Sequence, residues 1–165
     1  MMIFSGCFSA DKKNDRRKIY FYDLQTYFTK TAEKLNQENP TITKSVAKNK
    51  ITEKHTLKVT NWNTELALFI ESDINKGAWR DSYSKDSTAT KIIYTAIDNN
   101  LKTRKIEIWM DEGKPKKFTV YTKVDNMLYH TTEELEFIPD SSYSIKKHQK
   151  ILILGLNDYE IKGLF

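Results

Sequence analysis

The single cysteine of the chain, Cys7, is the residue with the most specific chemistry in the sequence. It follows Phe4-Ser5-Gly6 and precedes a polar, charged stretch. Apolar residues that run into Ser-Gly-Cys have the form of a bacterial lipobox, in which small residues permit cleavage before the cysteine and the thiol then carries a diacylglycerol. The pattern therefore predicts that Cys7 is acylated and attaches the chain to a membrane.

The segment in front of Cys7 is shorter than a complete signal peptide. A secretory signal has a basic segment followed by about 7–15 apolar residues, whereas here residues 1–6 precede the cysteine. We expect the true start to lie upstream, so that residues 1–18 comprise a truncated signal with its lipobox and a charged tether. The alternative is a cytoplasmic protein with a short frayed N-terminus and an incidental cysteine.

The net charge of the chain is concentrated in this tether. The 165 residues carry a net charge of +5, and five of the 27 Lys and Arg and two of the 22 Asp and Glu lie within residues 11–18. The tether therefore carries +3, and residues 19–165 carry only +2. A basic segment beside an acylated cysteine favours anionic headgroups, and the nearly balanced body predicts no nucleic-acid partner.

Three histidines, His55, His130 and His148, are the candidates for acid–base or metal chemistry. No two of them lie within ten residues of each other, whereas metal and nucleophilic sites often use closely spaced ligands. His130 precedes Glu133 and Glu134, and strand alternation places Glu134 on the face of the histidine. A hydrolase that uses His130 and nearby carboxylates remains one alternative, but we predict no catalytic residue, no metal site and no cofactor.

Aromatic and basic side chains are interleaved over residues 102–123. Such a surface can stack on planar or ring-shaped ligands, although Trp109 and Tyr121 can equally be cross-strand partners that shield the backbone. Together with Tyr129 and His130 from the following segment, these two aromatic residues are our candidate binding surface.

The elements that must position these residues follow from hydrophobic spacing. Residues 23–38 predict a helix with Asp23 as its N-cap and Asn39-Pro40 as its end. A hairpin over 42–48 and 51–60 follows, and then a second helix over 61–76 with Gly77 as its C-cap. The strands predicted after Trp79 cover 91–97, 102–110, 118–123, 127–138, 143–147, 151–156 and 159–161.

Short links between successive strands predict antiparallel neighbours, because parallel strands need long crossovers. We therefore predict one α+β domain over residues 19–165. Its fold is a curved antiparallel sheet of about six to eight strands packed against two helices.

Four stretches of the sequence, residues 4–7, 62–75, 128–135 and 158–163, resemble short lipoproteins of unassigned function from Bacteroidetes-type bacteria. The resemblance covers most of the body and supplies no catalytic residues. It implies a location in the bacterial cell envelope, at the outer membrane rather than the inner one.

The leading hypothesis is a non-enzymatic, lipid-anchored envelope protein. It would bind the membrane through an acylated Cys7 and an envelope protein or other component through its body. A second alternative is a carrier, in which the curved sheet and the helices enclose a lipid or another hydrophobic ligand.

Overall fold

The computed structural model describes residues 18–49, 51–153 and 155–165. Its helices are α1 (Leu24–Glu38), α2 (Trp62–Glu65) and α3 (Ala67–Glu71), followed by a 3-10 turn at Gly77–Trp79. The strands are β1 (Thr41–Lys48), β2 (Ile51–Lys58), β3 (Tyr83–Ser87), β4 (Lys91–Ala96), β5 (Thr103–Asp111), β6 (Lys114–Asp125), β7 (Tyr129–Ile138), β8 (Ser142–Ile151) and β9 (Gly155–Leu164). The predicted lipobox, including Cys7, lies outside the described residues.

Within these residues, nine strands form one antiparallel sheet in the order β2-β1-β9-β8-β7-β6-β5-β4-β3. The sheet is larger than the six to eight strands predicted. Strand β3 was missed, and the segments predicted at 143–147, 151–156 and 159–161 are two long strands, β8 and β9. The polar residues around His148 do not end β8, because they continue the ladder opposite Asp158 while their side chains face solvent.

Helix α1 forms where its sequence predicts it. The Asp23 carboxylate accepts a hydrogen bond from the backbone N–H of Thr26 at 3.0 Å, as an N-cap does. Asn39 ends the helix in the left-handed conformation, with φ of 47° and its N–H bonded to the carbonyl of Leu35. Both helix ends are therefore determined by local residues.

The predicted second helix over 61–76 is wrong in length. Two short helices, α2 and α3, take its place and are separated at Leu66. The helical segment ends at Glu71, at the end of α3. The Ser72 hydroxyl donates to the carbonyl four residues earlier at 2.6 Å, and the Asp73 carboxylate accepts from the N–H two residues later at 2.9 Å. Such bonds compete with helix continuation, and Gly77 begins a 3-10 turn instead of capping a helix.

Alternate residues of the central strands form buried rows across one face of the sheet, which we call the inner face. The strand register aligns each row. The first row contains Ile108, Phe118, Phe137 and Tyr143, and the second contains Ile106, Val120, Leu135 and Ile145. The opposite face, which carries Trp109, is called the outer face.

Aromatic rings connect the helices to the inner face. The Phe28 ring of α1 lies 5.1 Å from Phe118, 5.2 Å from Phe137 and 4.9 Å from Phe69 of α3, measured between centroids. All four side chains are almost completely buried. Such aromatic contacts add about 0.5–1.5 kcal/mol each to the stabilisation from burial.

A second connection joins α2 to the sheet through Tyr143. The Tyr143 hydroxyl donates to the Glu65 carboxylate, which also pairs with Lys44 of β1 at 2.7 Å. Burial, and then the hydrogen bond and charge of Glu65, raise the pKa of Tyr143 well above its usual value. The ring fits because its neighbour on β9 is Gly163, where an added Cβ would lie only 2.0 Å from a ring carbon.

The chain segment before α1 is bound to the loop that follows α3. The Asn75 side chain accepts hydrogen bonds from the backbone N–H groups of Tyr20 and Phe21, both at 2.8 Å. Its amide group donates to the carbonyl of Tyr22 at 3.2 Å. This clamp fixes the place where the predicted tether leaves the body.

We predict that Gly163→Ala destabilises the protein because its methyl group would overlap the Tyr143 ring. The free energy of unfolding should fall by about 1–3 kcal/mol, which is typical of overpacking. Denaturant unfolding followed by tryptophan fluorescence measures the change.

The matched control is Gly77→Ala, since an added Cβ there has no atom within 4 Å. This control should change stability by less than about 1 kcal/mol. Equal destabilisation by both substitutions would contradict the steric explanation.

Candidate functional site

The four residues predicted as a binding surface lie on three neighbouring strands. Trp109 is on β5, Tyr121 is on β6, and Tyr129 and His130 begin β7. Register and alternation place Trp109, Tyr121 and His130 on the outer face and Tyr129 on the inner face.

The three outer-face residues are spread along the sheet. Trp109 pairs with Lys117, and Tyr121 lies four residues further along β6, about 13 Å away at 3.3 Å per residue. His130 is paired with Asp125, a further four residues along, so about 26 Å separates it from Trp109 along the strand direction. Trp109 and His130 therefore belong to different local sites.

Trp109 is half-buried between two lysines from the flanking strands. The Lys91 ammonium lies 4.3 Å from the ring centroid and that of Lys117 lies 5.3 Å from it. Lys117 also pairs with Glu136 at 2.6 Å. These contacts hold an aromatic plane and positive charge together on the outer face.

Glu107 is the buried charge beneath this site. Its carboxylate lies 3.3 Å from the Lys91 ammonium and 2.5 Å from that of Lys105. Burial opposes ionisation of Glu107, but the two lysines outweigh it and hold the pKa of the carboxyl below its usual value of 4.5. Nearby, burial and the charge of Glu134 raise the pKa of Tyr121, which keeps its hydroxyl protonated at neutral pH.

The histidines of β7 and β8 form exposed pairs with aspartates. His130 contacts Asp125, and the His148 Nδ1 atom lies 2.7 Å from Asp158. A hydrogen bond from Lys123, and then the contact with His130, lower the pKa of Asp125. The sequence did not predict the His148–Asp158 pair, because the strand predicted over 143–147 ends before residue 148 and so leaves the two side chains on no common face.

Glu133 lies on the opposite face from His130. Its carboxylate is buried on the inner face, where it accepts a hydrogen bond from the Thr122 hydroxyl at 2.9 Å and lies 3.5 Å from Lys147. In the parts of the chain that the structure describes, no cluster of three His, Cys, Asp or Glu residues could hold a metal ion. The geometry thus gives His130 one exposed carboxylate partner, Asp125, and separates Glu133 from this pair on the inner face.

An open groove of about 280 Å³ lies between α1 and the turn that joins β7 to β8. Its apolar walls include Tyr27, Leu35 and Phe165, and the ion pair between Lys34 and Asp140 lies at its rim. The space further inside is occupied by the Phe28 cluster described above. The groove is at the lower limit of typical ligand-pocket volumes.

Comparisons with protein-family models, with curated proteins and with solved structures found no match to this chain. Among the described residues, no helix has the length and apolar character required to cross a bilayer.

We predict that Glu107→Gln weakens the outer face in a pH-dependent way. Because the folded-state pKa of Glu107 lies below 4.5, its ionised form stabilises the fold above that pH. This stabilisation is lost as the pH falls through the folded-state pKa. The substitution should therefore lower the free energy of unfolding at pH 7 by about 1–3 kcal/mol, and the difference from the wild type should shrink steadily below pH 4.5.

Urea unfolding over a pH series tests this, with Glu134→Gln as the control. The control carboxylate is 42% exposed and lies 4.0 Å from Lys146, so its removal should cost less than about 1 kcal/mol. A loss for Glu107→Gln that is the same at every pH would contradict the role given to the two lysines.

Proposed function

We propose that this protein is a lipid-anchored, non-enzymatic module of the bacterial cell envelope that binds a partner protein through its outer face. The lipobox form of the sequence around Cys7 and the resemblance to short envelope lipoproteins support the location, with the outer membrane favoured. The arrangement around Trp109 supports the binding role.

The observation that carries the binding proposal is the half-buried Trp109 between Lys91 and Lys117. An aromatic plane of this kind offers a large rigid contact area, and Trp is enriched among residues that dominate interface energetics. The flanking ammonium groups already pair with Glu107 and Glu136. A partner would therefore meet an aromatic plane surrounded by paired charges, which favours an apolar group with a polar rim. Because Trp109 stands on a central strand of a broad sheet, little conformational entropy is lost when a partner binds.

The geometry gives less support to the two alternative functions, a hydrolase and a carrier. A hydrolase needs convergent groups in a sheltered site, whereas the His130–Asp125 pair is exposed and Glu133 lies on the opposite face of the sheet. A carrier needs an enclosed apolar chamber, whereas the space behind α1 is filled by Phe28, Phe118 and Phe137. The open groove beside Leu35 supports a small ligand better than an acyl chain.

The anchor is tested at Cys7. Expressed from its native gene, the protein should incorporate labelled palmitate and fractionate with membranes, and Cys7→Ser should lose the label, because the thiol is the acylation site. Mass spectrometry of the native product provides the sharpest measurement. A product with an unmodified Cys7 and residues 1–6 retained would contradict the proposal.

The binding surface is tested by Trp109→Ala. A tagged wild-type protein should co-purify its partner from solubilised envelopes, whereas the Trp109→Ala variant should not. The reason is that removal of a central aromatic residue weakens binding by about 30-fold or more. The matched control is Trp79→Ala, since Trp79 also lies under a lysine, with Lys76 at 4.0 Å, but packs against Tyr83.

Thermal unfolding of both variants checks that the fold is retained. If one set of proteins co-purified equally with the wild type and both variants, Trp109 would not be the binding residue.

A further inference from the structure

Exposed apolar side chains are gathered at one end of the sheet. Antiparallel alternation brings the β1–β2, β4–β5, β6–β7 and β8–β9 connections of the described chain to this end. Met127 and Ile153 are 93% and 90% exposed, and five further residues are 66–75% exposed. We call the set the apolar rim: Ile51, Ile97, Met127, Leu128, Leu152, Ile153 and Leu156.

The turns at the other end of the sheet have the opposite character. They carry Glu112-Gly113 between β5 and β6, Asp140-Ser141 between β7 and β8, and Thr88 to Thr90 between β3 and β4. These are the small and polar residues that turns generally favour. The two ends of one sheet therefore differ sharply in polarity.

Turn geometry does not require the apolar residues of the rim. The β6–β7 turn is closed by the side chain of Asn126, whose oxygen accepts from the N–H groups of Leu128 and Tyr129 at 2.9 and 3.0 Å. In β9, Gly155 takes the left-handed conformation with φ of 79°. Polar side chains at 127 and 128 would leave these bonds intact, so the exposed apolar groups need another explanation.

The two central tips of the rim are joined. The backbone N–H of Leu152 donates to the carbonyl of Leu128 at 3.1 Å, which brings four exposed apolar side chains side by side. Tyr129 lies next to them and is 37% exposed. Contiguous exposed apolar surface marks an interaction site, and a Tyr beside it is typical of a membrane–water interface.

Positive charge lies directly behind the tips. Lys102, Arg104 and Lys123 line one cleft beside the β6–β7 turn. Arg104 donates to the neutral oxygens of Asp98 and Asn99, through the backbone carbonyl and the side-chain amide. The Arg104 charge is thus directed at uncharged acceptors.

The nearby carboxylates are engaged within the chain. Asp125 contacts Lys123 and His130, and Asp158 contacts His148. With three cationic side chains and the one carboxylate of Asp125, the cleft is net positive. A net positive surface behind an apolar tip is complementary to an anionic lipid surface.

We propose that the apolar rim is a membrane-contact site that inserts into an anionic lipid surface. The side chains at the β6–β7 and β8–β9 tips enter the boundary between headgroups and acyl chains, and Lys102, Arg104 and Lys123 meet lipid phosphates. The strands then stand end-on to the bilayer. This contact requires no acyl group and is therefore separate from the proposed anchor at Cys7.

The tether is long enough for both contacts to form together, a point that depends on the proposed function. Tyr20, which is held by the clamp, lies thirteen residue steps after Cys7. An extended chain spans at most about 3.3–3.6 Å per residue, or about 45 Å here. Strand β8, with ten residues, measures about 33 Å. A second contact of this kind strengthens and orients attachment.

The full chain with Cys7→Ser isolates the rim from any acyl anchor. Co-sedimentation with vesicles of phosphatidylcholine and phosphatidylglycerol, compared with pure phosphatidylcholine, measures lipid binding directly. We expect binding to the anionic vesicles that falls about tenfold or more when Met127, Leu128, Leu152 and Ile153 are all replaced by Ser.

Two further variants separate the apolar from the electrostatic contribution. Replacing Lys102, Arg104 and Lys123 with Gln should weaken binding to the anionic vesicles severalfold. Residual binding above the level seen with neutral vesicles is expected, because the basic tether over residues 11–18 is still present. The matched control is Leu164→Ser, since Leu164 is 53% exposed at the far end of β9, and it should bind as the parent does.

Ile153→Trp provides a measurement of depth at saturating vesicle concentration. The chain already contains Trp62, Trp79 and Trp109, so quenching by lipids brominated near the headgroup should be greater for this variant than for the parent. Absence of vesicle binding by the Cys7→Ser parent would overturn the proposal, as would equal binding by the four-Ser variant. So would self-association that the four-Ser variant abolishes without any vesicle binding, because the rim would then bind a second copy. None of these results would bear on acylation of Cys7.

Discussion

The packing of Phe28 against Phe118 and Phe137 is the contact on which the rest of the structure depends. An antiparallel sheet with alternating side chains must bury one face, and here α1 brings its ring into the middle of the buried rows. The outer face is consequently left to charged and aromatic side chains, including Trp109. The same arrangement leaves the strand ends beyond the helices in contact with solvent, where the apolar rim lies.

Local signals explain which elements could be predicted from the sequence. Helix α1 was predicted correctly because Asp23 and Asn39 determine its ends through their own hydrogen bonds. The second helix was predicted too long, because hydrophobic spacing does not show how Ser72 and Asp73 compete for the backbone. The sheet has more strands than predicted because β3 was missed. Strands β8 and β9 are longer than predicted because long-range pairing continues them through polar residues that sequence patterns assign to a turn.

The sequence likewise predicted the individual residues of the candidate site but not their neighbours across the sheet. Alternation alone shows on which face of its own strand each of Trp109 and Tyr121 lies. It does not show that Lys91 and Lys117 lie beside Trp109, because that depends on the pairing register across three strands. The His148–Asp158 pair required the same long-range information. The polarity difference between the two sheet ends was visible in the sequence only as scattered Leu, Ile and Met residues, because their shared location depends on the complete strand order.

Taken together, the two proposals describe a protein held at a membrane by one end of its sheet, with the outer face open to a partner. The most direct test is a depth measurement by spin-label EPR on anionic vesicles, with nitroxides on Met127→Cys, Ile153→Cys and Lys114→Cys in the Cys7→Ser chain. The account predicts that the first two labels are protected from a water-soluble relaxant and accessible to oxygen, whereas the label at 114 stays in water. Equal exposure of all three labels to water would contradict it.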